Sequence, residues 1–218
     1  MKYQKIDSKL FIKNRKNFLS RMKPNSIAFF NSNDIYPVSA DSTLPFEQHR
    51  DIFYLSGVDQ EESVLMLCPS CSDQNLREVL FLKETDDHIA VWEGPKLNKK
   101  QAFETSGIKS VFWLDEMENI IDKVMNECET IYFNHNEHYR AKIEMETREE
   151  RFNKWLEGKY PNKLKERSNP ILQHFRSIKD PIELDLIQKA CDITNKGFRR
   201  VLDFVKELDY FFLLFYLH

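Results

Sequence analysis

Apolar residues in this chain gather in short runs closed by Asn, Asp, Pro, Ser or Gly. The runs are SIAFFNS (Ser26 to Ser32), SVLMLC (Ser63 to Cys68), EVLFLK (Glu78 to Lys83), HIAVWEG (His88 to Gly94), SVFWL (Ser110 to Leu114) and TIYFN (Thr130 to Asn134). Their length and boundaries predict strands. Between and around them the apolar positions recur at helical spacing. From about Ser8 to Met22, residues Leu10, Phe11, Phe18, Leu19 and Met22 fall near one face with Lys and Arg opposite, and Pro24 stops the helix. Further helices are predicted over Lys99 to Thr105, Asp115 to Cys128 and, longer and more charged, about Tyr139 to Glu157. Strand and helix alternate, which is the pattern of a sheet covered by helices and so of the α/β class. The segment EGKYPNKLKERSNP reads as a boundary, with two prolines, a glycine and many charges. Beyond it, Pro181 in a first helical turn behind a capping Asp180 opens an amphipathic helix. Its stripe of Ile182, Leu186, Ile187, Ala190, Ile193 and Thr194 calls for a docking partner.

Composition narrows the function classes. The 218 residues suffice for one sizeable core, or for one domain and the start of another. With 41% apolar and 31% charged residues and only 5 glycines, the chain is neither disordered nor a loop-dominated scaffold. Its net charge of -3 supplies no long-range field for nucleic acid or an anionic membrane surface, so neither is expected as a partner. No apolar run reaches the roughly 18–20 residues that span a bilayer, and the tail YFFLLFYLH is too short. The charged start MKYQKIDSKLFIKNRKNF lacks the apolar core of a signal peptide, which makes a cytoplasmic setting the expectation. In that setting Cys68, Cys71, Cys128 and Cys191 are expected as reduced thiols.

No complete catalytic set stands out. Cys68 and Cys71, in CPSC, have the spacing of a redox pair or of half a zinc site, but no second pair accompanies them and the segment reads as a turn leaving a strand. His135 and His138, in NHNEHYR, could share a helical face and hold a metal, although no carboxylate at helical spacing completes the set, and a surface loop entering the next helix is the plainer reading. HRD (His49 to Asp51) occurs without a glycine-rich phosphate loop or a DFG, as a chance match would. No GxxxxGK or GxSxG is present. Trp92, where a strand meets a Gly-Pro turn, either packs at the sheet edge or projects past it as a contact surface.

Taken in order, ADSTLPFEQHRDIFYLSGVDQEESVLML, VLFL, VWEGPKL and FRSIKDPIELDLIQKACDIT resemble the amino-terminal domain of aminopeptidase P, the Xaa-Pro aminopeptidases, together with the start of that family's next domain. Arg176, Lys179 and Glu183 match the family's R-x-x-K-x-x-x-E helix start, and the similarity spans about Phe11 to Val205. The resemblance implies a creatinase N-terminal-like, ribonuclease H-like fold: a mixed β-sheet flanked by helices, followed by a C-terminal linker helix. It implies an N-terminal domain over 1–170, a linker and the first helix of a pita-bread metallopeptidase domain over 171–206, and an atypical apolar tail over 207–218. In the family that second domain binds two divalent metals, often manganese, through two Asp, one His and two Glu, and the metals activate the water that cleaves before proline. None of those ligands is assignable here, so this chain alone is expected to be inactive and to hold no metal. The tail is unlike the family's continuation, as in a truncation or an altered reading frame, with a natural short protein as the alternative.

Two residues inherit a substrate-contact role in a full-length assembly: Trp92, matching a tryptophan that reaches a neighbouring subunit's active site, and Asp41 in SAD. The expected partners are a second copy of the chain and a peptide with proline second. Within PFEQHRDIFYLSG the aromatics are expected beneath the sheet, with Arg50 and Asp51 satisfying nearby backbone or each other at its rim. On that reading the segment supports a site and does not contain one. A stand-alone peptide- or protein-binding module and the N-terminal half of a prolidase- or creatinase-type hydrolase are the competing readings.

Overall fold

The computed structural model describes residues 5–85, 94–140 and 145–205, which divide between two compact units, 1–177 and 178–218. Trp92 and most of the expected strand from His88 to Gly94 lie outside the described residues.

The first unit is built on six strands: β1 (Ser26–Asn31), β4 (Ser63–Leu67), β5 (Glu78–Leu82), β6 (Ser110–Trp113), β7 (Thr130–Phe133) and β8 (Leu164–Arg167). Their order across the sheet is β6-β5-β4-β1-β7-β8. β1, β7 and β8 run parallel to one another, β5 and β6 likewise, and β4 alone is antiparallel to both of its neighbours. The sheet expected from the alternating pattern is therefore present, and it is mixed, as the resemblance implies. A separate small hairpin, β2 (Pro37–Ser39) and β3 (Ser42–Thr43), turns at Ala40 and Asp41.

The central strands are buried along their whole length because both faces carry side chains into a core. Alternate residues go to opposite sides, as the strand period of two requires. Ile27, Phe29, Val64, Met66, Phe81 and Ile131 face α4 (Met117–Met125) and α5 (Arg148–Lys159) through Ile121, Val124 and Leu156. Ala28, Phe30, Leu65, Leu67, Leu80 and Tyr132 face the other layer. There Phe18 of α1 (Ser8–Leu19), Ile52 and Leu55 of α2 (Arg50–Ser56), Ala102 of α3 (Lys99–Ser106) and Leu172 of α6 (Asn169–Ser177) close the second core. At roughly 1.5–3 kcal/mol for each large apolar side chain removed from water, these two layers dominate the stability of the unit.

Arg15 ties the second layer together. Its side chain is fully buried, its Nη1 donates to the carbonyls of Leu55 (2.8 Å) and Ser106 (2.9 Å), and its Nε donates to Glu78 Oε2 at 2.7 Å. One guanidinium thus satisfies carbonyls at the C-termini of α2 and α3, which have no partner within their own helices. Both helices end in a left-handed glycine, Gly57 (φ 70°) and Gly107 (φ 73°), pressed against Phe11 and Ile12 of α1.

Four expectations change. The helix expected from Tyr139 begins at Arg148, where Thr147 and Glu150 form a reciprocal cap, while Tyr139 and Arg140 form an exposed turn. The helix expected from Asp115 opens with a tighter 3-10 turn, Leu114–Glu116, before α4. The segment read as a boundary contains β8, an edge strand held by its pairing with β7, and leads into α6. Arg50 and Asp51 do not pair with each other: they open α2, with Arg50 on Glu47 and Asp51 on Asn134 and Arg176.

In the second unit α7 (Pro181–Phe204) is capped as its sequence predicts, by Asp180 and Glu183 around Pro181, and none of its residues is buried. Among the described residues no helix is long and apolar enough to cross a membrane.

Candidate binding cleft at the carboxyl edge of the sheet

Three parallel strands deliver short polar residues to one edge of the sheet. β1 ends in Asn31 and continues as Ser32 and Asn33, β7 is followed by Asn134, His135 and Asn136, and β8 by Ser168 and Asn169. In α/β sheets this carboxyl edge is where ligands bind, because the strand ends present unused backbone and side-chain polar groups to one crevice. Here a cleft of about 650 Å³ opens, lined by Asn33, by Glu47 to Asp51, by His135 and Asn136, and by the Asn169, Gln173 and Arg176 side of α6.

The stretch from Glu47 to Asp51 is held rigidly. Gln48 donates from Nε2 to the carbonyls of Val58 (3.1 Å) and Gln60 (2.9 Å), and its Oε1 accepts the His49 N–H at 2.8 Å. His49 then caps α2, its Nδ1 accepting the Asp51 N–H at 3.3 Å. A ring nitrogen that accepts is unprotonated, so His49 is neutral in this arrangement. Burial pushes its pKa below the ordinary histidine value, against the pull of Asp51 and together with Arg176 and Arg50. Asp51 is pinned from two sides: Asn134 Nδ2 donates to Oδ2 at 3.0 Å and Arg176 donates to Oδ1. Arg176 also lies over the ring of Tyr54 at 5.4 Å.

Next to the cleft lies a buried carboxyl. Glu149, 7% exposed in the first turn of α5, accepts from the Asn31 backbone N–H (3.4 Å) and from Asn31 Nδ2 (3.1 Å). Burial raises its pKa to about 8, more than the hydrogen bonds from Asn31 and Asn134 can offset. It is therefore largely protonated at neutral pH and carries a hydrogen to donate. Asn31 Oδ1 and Asn134 Oδ1, buried acceptors without a donor among the described residues, belong to the same cluster. Asn153 completes it by donating from Nδ2 to the Asn134 carbonyl at 2.9 Å.

Asp51 already accepts from two side-chain donors, and His49 uses its free lone pair as a cap. Amide side chains on the cleft wall, from Asn33, Asn136, Asn169 and Gln173, offer donors and acceptors of the kind that match a peptide main chain. His135 and His138 are both exposed and make no joint site: His135 stacks on Phe133, and His138 stacks on Tyr139. Cys68 and Cys71 are buried. Asp41 sits exposed in the β2–β3 turn, away from the cleft lining, on a hairpin that also exposes Tyr36, Val38 and Leu44. Among the described residues no three His, Cys, Asp or Glu side chains converge as a metal centre requires.

A model of the aminopeptidase P N-terminal domain matches residues 11–132, more than half of the chain. The chain belongs to that family. As an aminopeptidase P N-terminal domain it is 28% identical over 171 residues to Xaa-Pro aminopeptidase 3 of Rattus norvegicus, covering 77% of this chain and 33% of the relative. It is 25% identical over 202 residues to the Xaa-Pro aminopeptidase of Escherichia coli, covering 91% of this chain and 45% of that protein. The chain thus spans between a third and about half of these relatives. The fold matches that of Pseudomonas aeruginosa aminopeptidase PepP with a TM-score of 0.75 at 20% identity, over 90% of this chain and 44% of that one.

Reading by motif missed Asn31, Asn134, Glu149 and Asn153, whose pairings link residues up to 118 apart in sequence. A signal existed in the recurrence of Asn or Ser directly after three strands, in FFNSN, YFNHN and ERSN.

Proposed function

We propose that this chain is the amino-terminal, substrate-shielding and self-associating part of a metal-dependent Xaa-Pro aminopeptidase, inactive by itself and completed by a metal-binding domain that begins with α7. The observation that carries this reading is the family match over residues 11–132 in a chain that spans 33–45% of its relatives. The exposed hairpin bearing Asp41, with Ile35, Tyr36, Val38 and Leu44 around it, supports the shielding role, because adjacent exposed apolar residues mark contact surfaces. Trp92 and Asp41 are the residues proposed to meet a proline-containing peptide in the assembled enzyme, and the cytoplasm is the proposed compartment. α7 is proposed to be the first helix of the metal-binding domain, since its exposed Leu184, Ile187, Ile193 and Phe198 need cover.

The test is hydrolysis of an Xaa-Pro peptide by the purified chain with Mn²⁺, alongside calorimetry for metal binding. No turnover and no binding are expected. Turnover that persists through repurification would overturn the reading. The amide-lined cleft favours a second one, a stand-alone peptide-binding module. Nucleotide sequence beyond the codon for His218 separates the two: a metal-ligand domain encoded there, even in another frame, supports the first.

A further inference from the structure

Away from the cleft, the chemistry left without a role is sulfur. Cys68 follows β4 and Cys128 precedes β7, the two strands that flank β1 in the sheet. Both thiols are buried on one face beside Ile27, with 0% and 2% of the residues exposed, and their Sγ atoms are 3.4 Å apart. Cys71 lies in the same cluster, whereas Cys191 is exposed in the other unit. An S–S bond is about 2.05 Å long, so the two sulfurs need to close by only roughly 1.4 Å to be joined.

We propose that Cys68 and Cys128 form an oxidative modification site that hydrogen peroxide closes to an intramolecular disulfide. Of the two sulfurs Cys128 ionises first. Its contact with Cys68 and the nearby Lys163 ammonium lower its pKa, while the same contact and burial drive Cys68 up. Lys163 is fixed there by donating to the carbonyls of Met125 and Cys128. The Cys128 thiolate attacks one peroxide oxygen: the S–O bond forms, the O–O bond breaks, and the departing hydroxide takes up a proton to leave as water. The Cys68 sulfur then attacks Cys128 Sγ, the S–S bond forms, and the S–O bond breaks, releasing a second water that carries the Cys68 proton. Two thiols lose two electrons and one peroxide gains them. A reagent little larger than water suits so enclosed a pair. Two hydrogen bonds from Ser72 to Glu127, both 2.7 Å, tie together the loops that carry Cys71 and Cys128.

The experiment treats the folded full chain with hydrogen peroxide, quenches, unfolds, alkylates free thiols and maps tryptic peptides by mass spectrometry with and without reductant. The expected product has lost two hydrogens and joins the Asp51–Arg77 peptide, which holds both Cys68 and Cys71, to the peptide that contains Cys128. That link survives Cys71→Ser and disappears in Cys128→Ser, and the oxidised protein melts at a higher temperature until reductant returns it. If Cys128→Ser does not fold, the peptide map of the unaltered chain decides. Full alkylation of Cys68 and Cys128 after peroxide, a Cys68 to Cys71 link, or products joined only through Cys191 would each overturn the proposal.

Discussion

Glu149 keeps its proton in the fold to about pH 8, whereas in the unfolded chain it loses it near the ordinary glutamate value. Between those limits the folded state binds more protons than the unfolded one, so raising the pH destabilises the protein, and below the lower limit the effect is absent. Glu149→Gln removes the titration while keeping a hydrogen-bonding amide. Denaturant unfolding between pH 5 and pH 8 should then lose a downward slope of up to about 1.4 kcal/mol per pH unit relative to the unaltered chain. Equal slopes in the two proteins would mean that the carboxyl is ionised in the fold. Arg15 behaves differently because its partners are two carbonyls and a carboxylate that nothing else replaces. Arg15→Met should cost about 2–4 kcal/mol in equilibrium unfolding, since the substitution strips buried acceptors of their donor while keeping most of the packing.

At the level of elements, the two left-handed glycines limit what α2 and α3 can tolerate. A Cβ at Gly57 would sit 2.2 Å from the Phe11 ring, and one at Gly107 would sit 2.6 Å from Ile12 Cδ1. Gly57→Ala should therefore destabilise by about 1–3 kcal/mol, combining a disfavoured φ with a clash. Gly158 has open space around it inside α5, and Gly158→Ala should stabilise by about 0.5–1 kcal/mol; thermal melts of the pair give the contrast directly. The same level explains which elements could be read in advance. β1, β4, β5 and β7 were legible because burial on both faces makes them nearly continuous apolar runs. β8 was not, because Leu164, Lys165, Glu166 and Arg167 form a strand through hydrogen bonds to β7 at the sheet edge, where charge is tolerated and discourages pairing with other chains. α2 hid for the opposite reason: seven residues long and rich in aromatic and branched side chains, RDIFYLS has strand-like composition, and its caps, His49 and Gly57, make it a helix.

For the molecule as a whole, the α/β class and the layered sheet followed from alternation alone, while the cleft did not. Its polar cluster draws on the ends of β1 and β7 and on α2, α5 and α6, and only the parallel arrangement of β1, β7 and β8 brings those ends to one edge. Both cores and the cleft lie within residues 1–177. A chain ending at Ser177 is therefore expected to unfold in a single cooperative transition by denaturant, with circular dichroism and tryptophan fluorescence giving the same midpoint. Non-coincident curves would show that the two helical layers come apart separately. Arg15 also has a bearing on biosynthesis. It is made early, but the second helix end that it secures, at Ser106, lies 91 residues further along the chain. At about 5–20 residues per second, roughly 5–20 seconds pass between synthesis of α1 and synthesis of the last part of its docking site. α1 thus settles fully only once α3 has been made, and for that interval it is the natural substrate of a ribosome-associated chaperone.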